Sequence, residues 1–555
     1  MTIRVYSFSY KRGLPPDPAG NGVVHETSSD IVERTQIVGN ANDGFVGRGD
    51  LTDCNVERNG GFGIRSVAGD IARCSVVGNG GVGVDSATSL LDSCVSSNLQ
   101  SGVTGVPTVT HCEVNENGAD GVADSQNVQR STVRANKGIG LKQATKVDAS
   151  EVIDNGREGV TGVKTLTNTR ISGNRGDGVV GISAVVTNCV IAGNQGNGIT
   201  GGQSIMGTDV ISNGKAGVVG GDLVSGGNVS SNGADGVSGV ARVNRTTIDA
   251  NRGVGLVGGS AMFCSFKNNQ DGGAEDAELI NCVVTGNKSI FGGGVRGGTL
   301  YNCTVVSNRS TRTYLPAGID WDAVAYNSIV WDNFGPHGEI ANYYYVPEWP
   351  DENTRLYNCC TLPATPYEAQ NIAADPMFVE GGLQLLDASP CRDVASSEYV
   401  RTVNDILDKK RIQGVAPDMG AYELGGADAF GTEKTPSSEF YDWMNGYPSL
   451  LALYGGDAGV AANHLTGKTA VDGRQMTAWD DYVCGTDPTN TNKVFVATID
   501  VEGGVPNVSW DPDLGAARLY KVFGAEDLQE SWNLIPQEDI PGSPYHFFKV
   551  SVELP

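Results

Sequence analysis

Between residues 35 and 310 the apolar and polar positions of the chain recur with a period of about 19. An asparagine marks each repeat: Asn40, Asn59, Asn79, Asn98, Asn117, Asn136, Asn155, Asn174, Asn194, Asn213, Asn232, Asn251, Asn269, Asn287 and Asn308. Four residues after each of the first thirteen stands a glycine, from Gly44 and Gly63 through to Gly255 and Gly273, usually followed by Val, Ile, Leu or Phe. Upstream of the asparagine a small residue at −5 and a β-branched one at −3 alternate, as in Cys54 with Val56, Ser131 with Val133 and Cys189 with Ile191. Period two predicts a strand. A strand, a polar turn whose glycine takes a positive φ, and a second short strand fill the unit and leave no room for a three-turn helix. Helical repeats are thereby excluded by length, and leucine-rich repeats by the missing Leu ladder. The prediction is an all-β fold, a right-handed parallel β-helix of about 16 rungs with a small C-terminal β-module. At about 4.8 Å per rung the regular array is a rod on the order of 65–70 Å long.

The pattern continues less regularly beyond Asn308. Tyr301-Asn302-Cys303, Tyr326-Asn327-Ser328 and Tyr357-Asn358-Cys359 restart the same strand, the second reaching Asn333, so the late rungs carry long loops. No Tyr occurs from Lys11 to Leu300 and all seven Trp lie from Trp321 onward, which marks a different surface. The expected organisation is a non-repeat segment at 1–26, the β-helix at 27–335, irregular terminal rungs and a cap at 336–425, a polar linker at 426–439 and the C-terminal module at 440–555.

Composition narrows the function. Lys+Arg 39 against Asp+Glu 64 gives a formal net charge of −25, which repels phosphate backbones and anionic lipid, so no nucleic-acid partner is expected. No apolar run approaches the length of a membrane span. Met1–Gly22 lacks a continuous apolar stretch and does not read as a secretory signal. A monomer is expected.

The asparagine column is expected to turn inward and stack, each amide bonding the next rung. Cys54, Cys74, Cys94, Cys112, Cys189, Cys264, Cys282 and Cys303 lie on or beside the −5 column, where Ser131 and Thr169 also stand, so they read as small buried thiols. Cys359 or Cys360 with Cys391 is the expected disulfide if the protein is exported. No C-x-x-C occurs and only His111 lies in the rungs, so no metal is expected there. Glu158 and Asp177 share one turn position on neighbouring rungs, and solvated turn carboxylates are the expected reading. Catalytic residues are not identified by any motif. The loops from Tyr314 to Trp349 alone have the composition of a sugar site: Asp320, Asp322, His337 and Glu348 as acid or base candidates, and Trp321, Tyr343, Tyr344, Tyr345 and Trp349 as binding platforms.

Residues 35–424 resemble the right-handed parallel β-helix proteins of bacterial surfaces. The run Asn327-Ser328-Ile329-Val330-Trp331, Ala374-Asp375-Pro376-Met377-Phe378, Ser389-Pro390-Cys391-Arg392-Asp393 and Pro417-Asp418-Met419-Gly420-Ala421-Tyr422-Glu423 resembles the choice-of-anchor Q domain, which ends β-helix regions of exported proteins. Met476 to Thr489 is similar to a terminal module related to calcium-binding thrombospondin type 3-like repeats, with only Asp472-Gly473 surviving of the acidic ligand run. Calcium is the one cofactor that resemblance suggests. Arg4 to Asp17 resembles the opening of the C-terminal domain of the RapZ family of RNase adapters over about twenty residues, too few to form that domain, and is read as a fused or misplaced start. Together these imply an extracellular or cell-surface scaffold, structural or adhesive, with a polysaccharide or host glycan as partner. The alternative is a polysaccharide lyase or glycoside hydrolase of the pectin-lyase-like β-helix type using the 314–352 loops.

Overall fold

The structure, a computed structural model, describes residues 31–344 except 314 and 321, then 354–363 and 370–424, short segments at 2–4 and 20–25, and parts of 438–553. It divides into two compact units, Met1–Ala429 and Phe430–Pro555.

The first unit is a parallel β-solenoid of about 15 turns with a period of about 19. Each turn contributes a three-residue strand just before the ladder asparagine, such as Thr132–Arg134, a two-residue strand after the glycine, such as Val160–Thr161, and a third strand such as Thr165–Thr167. The last two merge in mid-array into single strands such as Leu141–Asp148. Pairing is parallel and in register from rung to rung, Val133 against Val114 below and Val152 above. Three inward columns follow from the period-two alternation: Val133, Val152 and Ile171 on the first side, Leu141, Val160 and Val179 on the second, Val147, Leu166 and Val186 on the third, all buried.

Three corners per turn are made by single residues in the left-handed region, at −6, −1 and +7 from the asparagine: Asp53 (φ 56°), Arg58 (φ 53°) and Ser66 (φ 55°) in successive corners. Most are not glycine, a strain on the order of 1 kcal/mol each that the cross-rung bonding offsets. This corrects the expectation for the +4 glycines, none of which takes a positive φ. Their reason is space: a Cβ on Gly140 would lie 2.4 Å from Val152 Cγ1, 2.6 Å from the Gly159 carbonyl and 2.7 Å from Asn155 Nδ2.

The asparagines stack inward as expected. Asn174 Oδ1 accepts from the backbone N–H and Nδ2 of Asn155, at 3.0 Å each. Its own Nδ2 donates to Asn194 Oδ1 at 2.9 Å and to the Val152 carbonyl at 3.2 Å. The ladder runs past Asn308 to Asn333 and ends at Asn342, whose Nδ2 turns to the Leu362 carbonyl. A second ladder fills the −5 column: Cys112 N–H donates to Ser131 Oγ, Ser131 N–H to Ser150 Oγ, and Ser150 N–H to Thr169 Oγ1. Each hydroxyl or thiol also donates to the carbonyl two residues back, as Cys112 does to Thr110. Ser, Thr and Cys interchange there because each is a small donor that also accepts. Cys94 is the exception: Ser93 occupies the inward position, and Cys94 sits beside it on the outer face, half-buried.

In the second unit the helices Ser438–Met444 and Ala478–Cys484 share an apolar cluster of Phe440, Met444, Leu450 and Tyr482. Antiparallel sheets follow, Val496–Glu502 with Val505–Asp511, and Leu519–Ala525 between Asn533–Ile535 and Phe547–Glu553. Arg518 donates to the carbonyls of Tyr482 and Val483 at 2.6 Å. Asp487 Oδ1 accepts from the Thr489 N–H and hydroxyl, and Asp472-Gly473 lies outside the described residues. No helix among the described residues is long and apolar enough to cross a membrane.

Candidate functional site

Two features distinguish the late rungs: a cap that folds back along the −6 corner, and loops inserted after the ladder asparagine. The corner that carries Arg34, Asp53, Arg73 and Asp92 early in the array becomes asparagine in the late rungs. Asn281, Asn302 and Asn327, at φ 48–51°, project their amides sideways onto the returning chain. Asn281 bonds Thr402 and the Asn404 carbonyl. Asn302 reaches the Asp418 carbonyl, and Asn327 exchanges bonds with the backbone of Ser396 in both directions. Arg245 pairs with Asp408 further down the same corner.

Aromatic rings serve this attachment. Tyr301, Tyr326 and Tyr357 stack face to face at 5.1 Å along the rod, Tyr399 of the cap packs on Tyr326 at 4.5 Å, and the Arg401 guanidinium lies 4.3 Å over Tyr301. Ring faces used up in this way offer no platform to a sugar.

The cap is organised around Arg411, which is 1% exposed and donates to the carbonyls of Asp418 and Gly420. Asp393, Asp418 and Glu423 bring one oxygen each within 4.8 Å of one another. Their oxygens are largely engaged, Asp418 with the N–H groups of Asp393 and Leu424, Glu423 Oε2 with the Asp418 N–H. The countercharge is Arg411, 3.6 Å from Glu423. Burial pushes the Glu423 carboxyl up to about 8, against the pull of Arg411. Because this folded value exceeds the ordinary 4.5, the folded state holds the extra proton, and stability falls as pH rises from about 4.5 to 8. The expected slope is at most about 1.4 kcal/mol per pH unit. Denaturant midpoints of Glu423→Gln should lose that slope; an unchanged slope would show Glu423 ionised against Arg411 throughout.

The inserted loops follow Asn287, Asn308 and Asn333. Lys288–Ser289 pairs with Arg309–Ser310, which bridges to Phe334. Ile290 and Phe291 stand exposed, with the Arg312 guanidinium 5.0 Å over the Phe291 ring. On the adjoining face Arg296 pairs with Glu275, and Asp320 ends the strand Ile319–Asp320 in the next rung, in register with Arg296.

The structure treats the sequence candidates unequally. Asp320 is withdrawn from solvent at 2% exposure, while Asp322 and His337 are exposed, so Asp320 and Asp322 stand in opposite environments. The His337 N–H donates to Glu339. Tyr343 packs against the solenoid core and pairs with Ile319, and the Tyr344 carbonyl accepts from the Thr354 N–H. Trp321, Tyr345, Glu348 and Trp349 lie outside the described residues. The turn position of Glu158 and Asp177 is structural: Asp177 accepts from the Asn197 N–H at 2.8 Å and the Thr200 hydroxyl at 2.6 Å, while Glu158 faces Arg157. Asp43, Asp120 and Asp235 make the same bond to the rung above.

One site residue escaped the sequence reading. The Asp332 carboxyl, exposed at the −1 corner, is shifted upward by partial desolvation and by the charge of Asp375 in the cap. No spacing in the sequence links the two, because only the returning cap brings them together.

The chain matches no family model and no curated protein. Among solved structures it is similar to the A-module of the mannuronan C-5 epimerase AlgE4 from Azotobacter vinelandii, at 13% identity and a TM-score of 0.21, over 64% of this chain and 91% of that one. It is similar to the pectate lyase Pel9A at 12% identity and a TM-score of 0.19, over 76% and 86%. A third is the periplasmic alginate epimerase AlgG, at 11% identity and a TM-score of 0.18, over 60% and 74%. The likeness is one of β-helix fold, and the reading of the site rests on this chain's own residues.

Proposed function

We propose that this β-solenoid is an exported or surface scaffold, structural or adhesive, that holds a glycan at its late-rung loops. The observation that supports this most is how the polar groups are spent. Through the regular rungs the ladder amides and the turn carboxylates at Asp43, Asp120, Asp177 and Asp235 hold the neighbouring rung. A general acid and base need to be free and poised. Among the late rungs, exposed apolar and cationic groups come together at Phe291 and Arg312. The resemblance of the cap to choice-of-anchor Q supports an exported location. With a net charge of −25, the partner is a neutral glycan rather than a polyuronate.

A second reading, a lyase or hydrolase, is favoured by Asp332, whose carboxyl is pushed upward by partial desolvation and by the charge of Asp375, since perturbed carboxyls mark candidate acid and base groups. The deciding experiment incubates the whole protein with xylan, alginate, pectin and mucin glycans. The scaffold reading expects binding to xylan above alginate, weakened several-fold by Phe291→Ala, Trp321→Ala or Trp349→Ala, and no release of reducing or unsaturated ends. Release abolished by Asp332→Asn would establish the enzyme instead.

A further inference from the structure

We propose that Cys360 and Cys391 form a disulfide that staples the cap to the last rung of the solenoid. Cys359 and Cys360 are neighbours on one extended stretch, so their side chains leave opposite faces. Cys359 turns inward and takes its place in the hydroxyl and thiol ladder: its thiol donates to the carbonyls of Ala325 and Tyr357, and accepts from the Ser328 N–H. Its own N–H is received by Asn371, which ends that ladder. Cys360 turns outward, directly above Ile329. On the regular rungs this outer face meets solvent, but here the cap covers it.

Cys360 and Cys391 are both fully buried in one apolar cluster with Ile329, Leu385, Ala395 and Met419. Both are free thiols in the structure, and the Cys391 thiol lies within hydrogen-bonding reach of the Cys360 thiol. Two thiols meeting in a dry contact between the cap and the last rung are candidates for a cross-link. The thiols of the inner ladder differ in what oxidation would forfeit. Cys54, Cys264, Cys282 and Cys303 each donate to a strand carbonyl, and Cys282 also receives the Cys264 N–H. Joining two of them would strand buried backbone groups. Cys360 forfeits one bond, to the Ala374 carbonyl.

In the reaction the two S–H bonds break and one S–S bond forms. Two protons and two electrons pass to a low-molecular-weight disulfide, which leaves as two thiols. Because both sulfurs are buried in the closed form, exchange takes place as the cap docks during folding. The cross-link then limits the freedom of the unfolded cap and holds it against the outer face of the last rungs.

The test is to refold the whole protein in a mixture of oxidised and reduced glutathione, denature it without reductant, alkylate it and map the peptides. Of the twelve cysteines, ten should be alkylated and two protected, the protected pair being Cys360 and Cys391, with all twelve alkylated after reduction. Reductant should lower the denaturation midpoint of the oxidised protein, and Cys391→Ser should abolish that response. Alkylation of all twelve after oxidative refolding would overturn the proposal, as would a protected pair that includes Cys359 or a ladder thiol. The wild-type map decides the matter even if a variant fails to fold.

Discussion

Alanine at Gly140 is expected to destabilise the solenoid by about 3 kcal/mol or more, the upper range for overpacking a tight interior. The added methyl meets Val152 Cγ1 at 2.4 Å, Asn155 Nδ2 at 2.7 Å and the Gly159 carbonyl at 2.6 Å. The carbonyl belongs to the next rung's backbone and cannot rotate away as a side chain would, so relief requires the rungs to part. The control is Gly193→Ala. Gly193 has φ +63° and nothing within 4 Å of an added Cβ, so that change should cost only the left-handed penalty of about 1 kcal/mol. Denaturant melts of the two variants separate the explanations: if Gly193→Ala cost more than Gly140→Ala, backbone conformation rather than space would be the reason for the repeat glycine.

Asn174→Ala should cost about 2–4 kcal/mol, because it leaves several buried groups unpaired at once. The Asn155 N–H and amide lose their acceptor, and the Val152 carbonyl and Asn194 Oδ1 each lose a donor. Asn40→Ala should cost about 1 kcal/mol. Asn40 is half-buried, and its bonds run one way only, from its N–H and Nδ2 to Asn59 Oδ1; the N–H survives the substitution. Equal and small losses in both variants would mean that the column is hydrated, contrary to the geometry.

Both comparisons show how much of the fold was legible in the chain and where reading stopped. The repeat asparagine and the alternation of Cys112 with Val114 or Ser131 with Val133 predicted the inward columns, because a strand's two-residue period assigns each side chain to a face. The glycine was correctly singled out and wrongly explained. One sequence signal, invariance of glycine, follows equally from a positive φ and from a close approach, and only the packed neighbour tells them apart. The true corners carry a glycine signal only in part: the +7 corner is often glycine, as at Gly162, Gly181 and Gly220, but the −6 and −1 corners, as at Asp53 and Arg58, mostly are not, since the stacked rungs compel an unfavourable conformation on residues that would avoid it alone.

The candidate site was less legible still. Composition pointed to the late loops, but no repeat pattern indicated which rungs the returning chain would contact. The cap's use of Asn281, Asn302 and Asn327, the packing of Tyr399 on Tyr326 and the influence of the Asp375 charge on Asp332 all depend on a chain that returns across the rungs it has just built. By itself the sequence determined the solenoid, because every rung is held by neighbours at a constant separation of about nineteen residues, and a periodic contact leaves a periodic trace. Only the tertiary structure decided the cap's partners and the choice of Cys360 over Cys359, because those contacts occur once, between segments whose separation no period records.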